Sequence, residues 1–305
     1  MSVTDDRGAW LLAAHDEHRR GLHAHCYRLT GNVADADDLV QETFLRAWRS
    51  RDAFEGRAST RTWLFRIATN VFLDNRKAAS QRTTPVGDIL EWSTGLGPYP
   101  DPSADFASRE TVELALIAAL MYLPDRQRAA FILRDAYGWT PTEVAAALGV
   151  AVPAVNSLVQ RARDTMRRRA PTDPARWRRP PLTSEDEEIL RRYQTATDPA
   201  HLIELLAEDV RITMPPDAPI SGREEVAEFL TRPLDWRTFP TVANGRPALI
   251  NYLRQPGQEY YAALTVDVLR IVDGQIVEIN SFIGAHHVMA FGMPALLDTP
   301  PSDAT

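Results

Sequence analysis

The sequence predicts a multi-domain protein, with two all-α helical units followed by an α+β unit. Three observations carry this prediction. Apolar residues recur at spacings of three and four up to about residue 170 and alternate thereafter. Stretches rich in proline and glycine interrupt the pattern after Thr83 and again after Ala170. Charge falls in blocks rather than evenly.

The 305 residues, 44% apolar and 25% charged, lie within the globular range and exclude a wholly disordered chain. No run approaches the roughly 18 apolar residues of a membrane span. The first residues, MSVTDDRGAW, lack a signal peptide's basic end and apolar core, so a cytoplasmic protein with no membrane partner is expected. One cysteine, Cys26, excludes a disulfide framework and a zinc site built on paired cysteines. His15, His18, His23 and His25 crowd near it, but HAHC spreads them over different helix faces, so neither metal nor cofactor is expected.

The net charge of −7 would argue against a nucleic-acid partner if it were uniform. Residues 8–82 instead carry 12 basic against 9 acidic side chains, and residues 120–180 carry 11 against 5. Between them, 83–119 hold 1 against 6, and 181–305 hold 9 against 19. Lysine occurs only as Lys77, so the positive charge is almost all guanidinium, suited to bidentate phosphate and base contacts.

The first unit, 8–80, reads as helices with short breaks. DADDLVQETFLRAW puts Val40, Phe44, Ala47 and Trp48 on one face and Asp38, Gln41, Glu42, Arg46 and Arg49 on the other. After AFEGRAS a second helix runs through TRTWLFRIATNVFLDNRK, with Leu64, Ile67, Ala68, Val71 and Phe72 inward and Ser59 or Thr60 as N-cap. Trp63 lies beside the apolar stripe, where core packing and base stacking are both open. A linker is expected over 81–108, a second helical unit over 109–170 and a further linker over 171–184.

Within the second unit, Thr140, Pro141 and Glu143 form a capping box with proline at the first helical position. That helix should end at Gly149. Pro153 opens the next, with Val155, Leu158 or Val159, and Ala162 packed, and Asn156, Ser157, Gln160 and Arg161 outward. This is the spacing of a helix-turn-helix. Outward Asn, Gln and Arg at the front of a helix can read base edges, while Arg163, Arg167, Arg168 and Arg169 would neutralise phosphates. An amphipathic hairpin with a solvated basic face is the alternative.

DADDLVQETFLRAWR with AFEGRASTRTWLFRIATNVFLDNRK resembles domain two of the extracytoplasmic-function sigma factors of the sigma-70 family. LPDRQRAAFILRDAYGWTPTEVAAALGV with AVNSLVQRAR resembles their domain four, in the same order and spacing. The resemblance covers residues 10–170 and implies partners and roles. Asp38, Gln41, Glu42 and Arg46 would grip bacterial core RNA polymerase. Phe54, Arg57, Arg61, Arg66, Asn70, Asp74 and Arg76 would hold the melted −10 strand of promoter DNA. Ala154, Asn156, Ser157, Gln160, Arg161, Arg163 and Arg167 would read the −35 element. Ala151, Pro153, Ala154 and Asn156 depart from the commoner pattern of a hydroxyl cap, glycine, threonine and lysine, so the −35 preference does not transfer. The acidic linker, GLGPYPDP with Asp101 and Asp105, is either threaded through the polymerase or solvated.

In the third unit, 185–295, DEEILRRYQTAT, AHLIELLAED and GREEVAEFL read as helices and VRITM as a strand. Asn244-Gly245 and Asp273-Gly274 are hairpin turns between ALINYL, AALTVDVLRIV and IVEINSFI. LIELLAEDVRITMPP, ISGREEVAEFL, ANGRPA and EINSFIGAHHVMAFGMP resemble the SnoaL-like branch of the NTF2-like fold, an appendage of sigma factors of the mycobacterial sigma G and sigma J type. The aromatic pair often seen after MPP is replaced by DAPIS.

The resemblance implies a cone closed by helices. Met214, Trp236, Tyr252, Tyr260 and Phe282 would line it around a small apolar ligand. Asp267 and His286 are the candidate general bases if the domain were catalytic; His286 and His287 otherwise face solvent. Regulation by packing against the helical units is the favoured role, which would make a separate anti-sigma protein dispensable. The expected protein is a non-enzymatic sigma factor. The alternative is a helix-turn-helix regulator fused to a ligand-binding or isomerase/cyclase-like domain.

Overall fold

A computed structural model describes residues 6–56, 58–80, 96–100, 114–169, 183–196, 199–214 and 217–298. Contacts divide the chain into a helical unit, to which residues 1–88 and 112–178 belong, and an α+β unit of residues 89–111 and 179–305.

The helical unit begins with α1 (Asp6–Thr30), α2 (Val33–Arg49), a 3-10 turn (Arg51–Ala53) and α3 (Thr60–Ser80). Asn32 caps α2 by accepting from the backbone N–H of Ala34 and Asp35 at 2.8 and 3.3 Å. Ser59 caps α3 in the same way, through the Thr62 N–H at 3.1 Å. Leu64, Ala68, Val71 and Phe72 are buried as the periodicity requires, and Trp63 is core as well. Trp48 departs from expectation. It is 46% exposed, because Leu39, Val40, Thr43 and Ala47 form the stripe that meets α1 and α3.

The second helical group comprises α4 (Leu114–Met121), α5 (Asp125–Phe131), a π turn (Ile132–Ala136), α6 (Pro141–Leu148) and α7 (Val152–Arg169). Arg128, 4% exposed, fastens it to the first group. Its guanidinium donates to the carbonyls of Leu29 at 2.5 Å, Leu120 at 3.1 Å and Leu123 at 3.0 Å. Burial lowers its pKa to about 10. The expected helical onset at 109 lies outside the described residues, as do 81–95, 101–113 and 170–182 of the connecting stretches.

The α+β unit contains α8 (Ser184–Thr195), α9 (Pro199–Ile203), β1 (Leu206–Thr213), β2 (Ile220–Ser221), α10 (Arg223–Leu230), β3 (Asp235–Ala243), β4 (Arg246–Arg254), β5 (Tyr260–Val272), β6 (Gln275–Ile283), α11 (Ala285–Ala290) and β7 (Leu296–Asp298). One sheet runs β2-β1-β6-β5-β4-β3, with β7 added to β5. β1 and β6 are parallel and the other pairs antiparallel. The helix expected over AHLIELLAED is shorter than predicted: α9 stops at Ile203, and Leu206 already pairs with Ile276. Asn244 and Asp273 take positive φ in the two expected hairpins.

Alternation along the strands separates two clusters. Leu249, Leu269, Ile276 and Ile279 meet Ile189, Leu190 and Tyr193 of α8, Leu202 of α9 and Val226 of α10. Ile250, Tyr252, Tyr261 and Val266 meet Val288 of α11 on the other face.

Candidate nucleic-acid interface

The helix-turn-helix is built by its caps. The Thr140 hydroxyl accepts from the Glu143 N–H at 3.2 Å, and the Glu143 carboxylate accepts from the Thr140 N–H at 2.7 Å. The carboxylate also accepts from the Thr140 hydroxyl at 2.8 Å, and the two bonds it accepts, the backbone one first, hold its pKa below the usual range. Gly149 ends α6 at φ +61°, in the left-handed region that favours glycine. The chain bends by 99° into α7. There Val155, Val159, Ala162 and Met166 are buried. Ala154, Asn156, Ser157, Gln160 and Arg161 are exposed on one side, so the outward set is brought together.

Arg163 and Arg167 behave differently. Arg163 makes a two-pronged bond to Asp135 at 2.9 and 2.7 Å, which raises its pKa, and Arg167 pairs with Asp164 one turn back. The side chain of Arg169 lies outside the described residues.

On the first group, Asp38 and Gln41 are exposed along α2 and continue into Leu45 and Trp48, with the Arg51 guanidinium 4.4 Å from the Trp48 ring centroid. Glu42 and Arg46 are tied to each other at 2.8 Å, and Arg46 reaches Asp74 of α3 at 2.7 Å. Phe54 is half-buried in an aromatic cluster, stacked on Trp10 at 5.3 Å and tilted against Trp63 at 4.8 Å. Along α3, Arg61 and Arg66 are exposed and Asn70 is half-buried. Arg76 bonds Asp125 at 3.3 Å. Arg57 lies outside the described residues.

Residues 15–82 match the Sigma-70 region 2 family, 113–166 the Sigma-70 region 4 family and 188–279 the SnoaL-like domain. The ECF RNA polymerase sigma factor SigG of Mycobacterium tuberculosis is 35% identical over 319 residues, covering 95% of this chain and 85% of that one. The chain belongs to the extracytoplasmic-function sigma factors. SigL of the same organism is 35% identical over 151 residues, covering 49% of this chain and 82% of its own. The crystal structure of Mycobacterium tuberculosis SigJ shares the fold, with a TM-score of 0.59 at 22% identity over 92% of this chain and 98% of that one.

The third domain of this sigma factor differs from the expected cone lining. Tyr252 packs beneath α11 and its hydroxyl donates to the Pro294 carbonyl at 2.6 Å, while Phe282 meets His287 of α11. Met214 joins the opposite cluster, and Trp236 and Tyr260 are both 38% exposed. Strand alternation therefore splits the five residues instead of gathering them. Asp267 and His286 are likewise not paired. Asp267 is buried on the face of Leu269, accepting from Ser281 at 2.5 Å and Asn251 at 2.7 Å. His286 is exposed on α11, on the other face. His287, expected in solvent, is buried, which lowers its pKa to about 4. A pocket of about 210 Å³ lies between α8 and α9, lined by Arg191, Arg192, Thr195, Ala196 and His201.

Residues 96–100, within the stretch read as linker, belong to the third domain. The Tyr99 N–H donates to Asn244 Oδ1 at 2.8 Å, the Asn244 N–H donates to the Tyr99 carbonyl at 2.9 Å, and Pro100 bridges to Ala243. Leu96, Gly97 and Pro98 are buried there. Sequence reading missed this contact. Its one signal was the apolar content of GLGPYP inside an otherwise acidic stretch.

Proposed function

We propose that this sigma factor grips core RNA polymerase through the outer stripe of α2 and the −10 strand through the Phe54–Thr60 loop and α3. It reads the −35 element through α7. The observation that carries this reading is the exposure of Asn156, Gln160 and Arg161 together at the front of α7, supported from behind by Val155 and Val159. On α2 the polar residues Asp38 and Gln41 share their stripe with Leu45 and Trp48, the mixed composition of an interface whose apolar centre has a polar rim. The protein acts where the polymerase is, in the cytoplasm.

The third domain modulates this activity by holding the connection between the two helical groups. The two-way Tyr99–Asn244 pair supports this. It divides one long connection into two shorter ones, and so ties each reader to the third domain by a shorter tether. A domain built to constrain its own sigma factor takes over a task that an anti-sigma protein otherwise performs. No reaction is assigned to it, because its buried carboxyl is engaged by Asn251 and Ser281.

Run-off transcription with bacterial core enzyme tests both parts. The full chain is expected to initiate. A version ending at Thr183 should change the yield, and Asn244→Gly with Tyr99→Pro, which remove the Oδ1 acceptor and the N–H donor, should change it in the same direction. No initiation overturns the assignment. Initiation unaffected by all three changes overturns the modulation.

A further inference from the structure

Tyr137 occupies a cleft that its own helical group does not form. The π turn ends with the Tyr137 N–H donating to the Ile132 carbonyl at 3.2 Å and the Trp139 N–H to Leu133 at 3.0 Å, and Gly138 turns the chain away at φ +71°. The Tyr137 ring projects between α1 and α3. It stands edge-on to Phe65, with centroids 5.0 Å apart at 81°, and meets His25 at 5.3 Å and 62°. Arg28 Nη1 donates to its hydroxyl at 2.7 Å. The guanidinium carbons of Arg28 and Arg61 lie 5.5 and 5.6 Å from the ring centroid.

The cleft walls are packed into the helical core. Phe65, His25 and Arg28 are buried, and His25 Nε2 is fixed by Thr69 Oγ1 at 3.0 Å. His25 Nδ1 is buried with no hydrogen-bond partner. The site thus offers a planar ring two aromatic contacts, two cations and one donor aimed at an oxygen on the ring's edge. Edge-to-face ring contacts, nearby cations and a directed donor are contacts that a nucleobase can make as well as a phenol. Arg61 belongs both to this cleft and to the proposed −10 surface.

We infer that the cleft of His25, Arg28, Arg61 and Phe65 receives an unstacked nucleobase bearing an exocyclic carbonyl, and that Tyr137 fills it in the free protein as an internal surrogate. The inference rests on the −10 assignment of α3. The phenol matches a base in shape and presents an oxygen to Arg28, as thymine does and adenine does not. Tyrosine and base exclude each other, so single-stranded DNA binds there only when the second helical group withdraws its ring.

Fluorescence anisotropy of labelled oligo(dT) and oligo(dA) with the full-length chain tests this. Tyr137→Ala should bind oligo(dT) about tenfold more tightly than the wild type, with a smaller gain for oligo(dA). Tyr137→Phe keeps the ring and loses only the Arg28 bond. It should gain a few-fold, and it decides the matter if Tyr137→Ala does not fold. The gain should vanish when Arg28→Met is combined with Tyr137→Ala. Absence of a gain, equal gains for the two oligonucleotides, or a gain that survives Arg28→Met each overturns the inference. Run-off transcription by the wild type separates this failure from failure of the sigma assignment, since initiation with core enzyme does not depend on which group fills the cleft in the free protein.

Discussion

Arg46 of α2 and Asp74 of α3, 28 residues apart in sequence, meet at 2.7 Å, and the same guanidinium holds Glu42 at 2.8 Å. Two residues expected at the polymerase surface and one expected at the −10 strand are thus joined as a strut between helices. Arg46→Ala should lower stability by no more than about 1 kcal/mol, because the pair is partly exposed and screened. Trp48→Ala should leave stability nearly unchanged and weaken polymerase binding by more than Arg46→Ala does. Chemical denaturation beside an affinity titration with core enzyme makes the comparison.

The proposed −35 interface divides the α7 residues into readers and anchors. Arg161→Ala should cost about 1–3 kcal/mol of binding and relax the sequence preference at one position. Arg168→Ala should weaken binding to all sequences alike and reduce the salt slope by about 1. Arg163, engaged by Asp135, should affect thermal stability more than the preference for any base. Binding across a panel of −35 sequences at several salt concentrations, with core enzyme present, distinguishes these outcomes.

His25 is fully buried, and burial first, then the nearby charges of Arg28 and Arg61, lowers its pKa to about 3. A histidine lowered in the folded state gives stability that is present above its unfolded value near 6.5 and is lost as pH falls toward 3. The helical unit should therefore lose about 3 kcal/mol between pH 7 and pH 4 through this residue. His25→Gln, which retains a donor toward Thr69, should flatten that dependence in denaturation experiments run across the range.

Asp267 has the opposite sign. Burial raises its pKa despite hydrogen bonds from Ser281 and Asn251 that act against the shift. The folded domain then holds a proton that the unfolded chain has released, so stability present below the unfolded carboxylate value declines as pH rises through the folded one. Asp267→Asn should remove this decline, seen as a pH-dependent difference between variant and wild type. Asp267→Ala should cost about 2–4 kcal/mol at low pH, where the wild-type carboxyl contributes most, and less as pH rises, since Ser281 loses its acceptor and Asn251 keeps only Thr265.

The helical part was legible because local rules decide it. The Thr140 capping box, the Gly149 turn and the stripe through Val155, Val159 and Ala162 are all set by neighbours within a few residues. Trp48 was misread because its spacing continues the apolar stripe, and only the packing of α1 and α3 shows that the stripe ends at Ala47. In the third domain the strands and both hairpins were readable, but not which residues share a face. A residue's side of the sheet depends on bulges such as the one between Asn251 and Tyr252, which shifts the register with β5. The α2 surface of Asp38 and Gln41 and the α7 surface were legible as polar faces. The Tyr137 cleft and the Tyr99 contact were not, because each joins segments that no periodicity relates.

The hold on residues 96–100 is made through main-chain groups, one asparagine side chain and a short apolar run. None of these is a candidate reader of DNA. On the proposed function, control of this sigma factor and its choice of promoter are written in different parts of the chain. On that reading, substitutions in α7 would redirect the protein to other genes under the same restraint, and substitutions at Tyr99 or Asn244 would loosen the restraint without changing which genes are addressed.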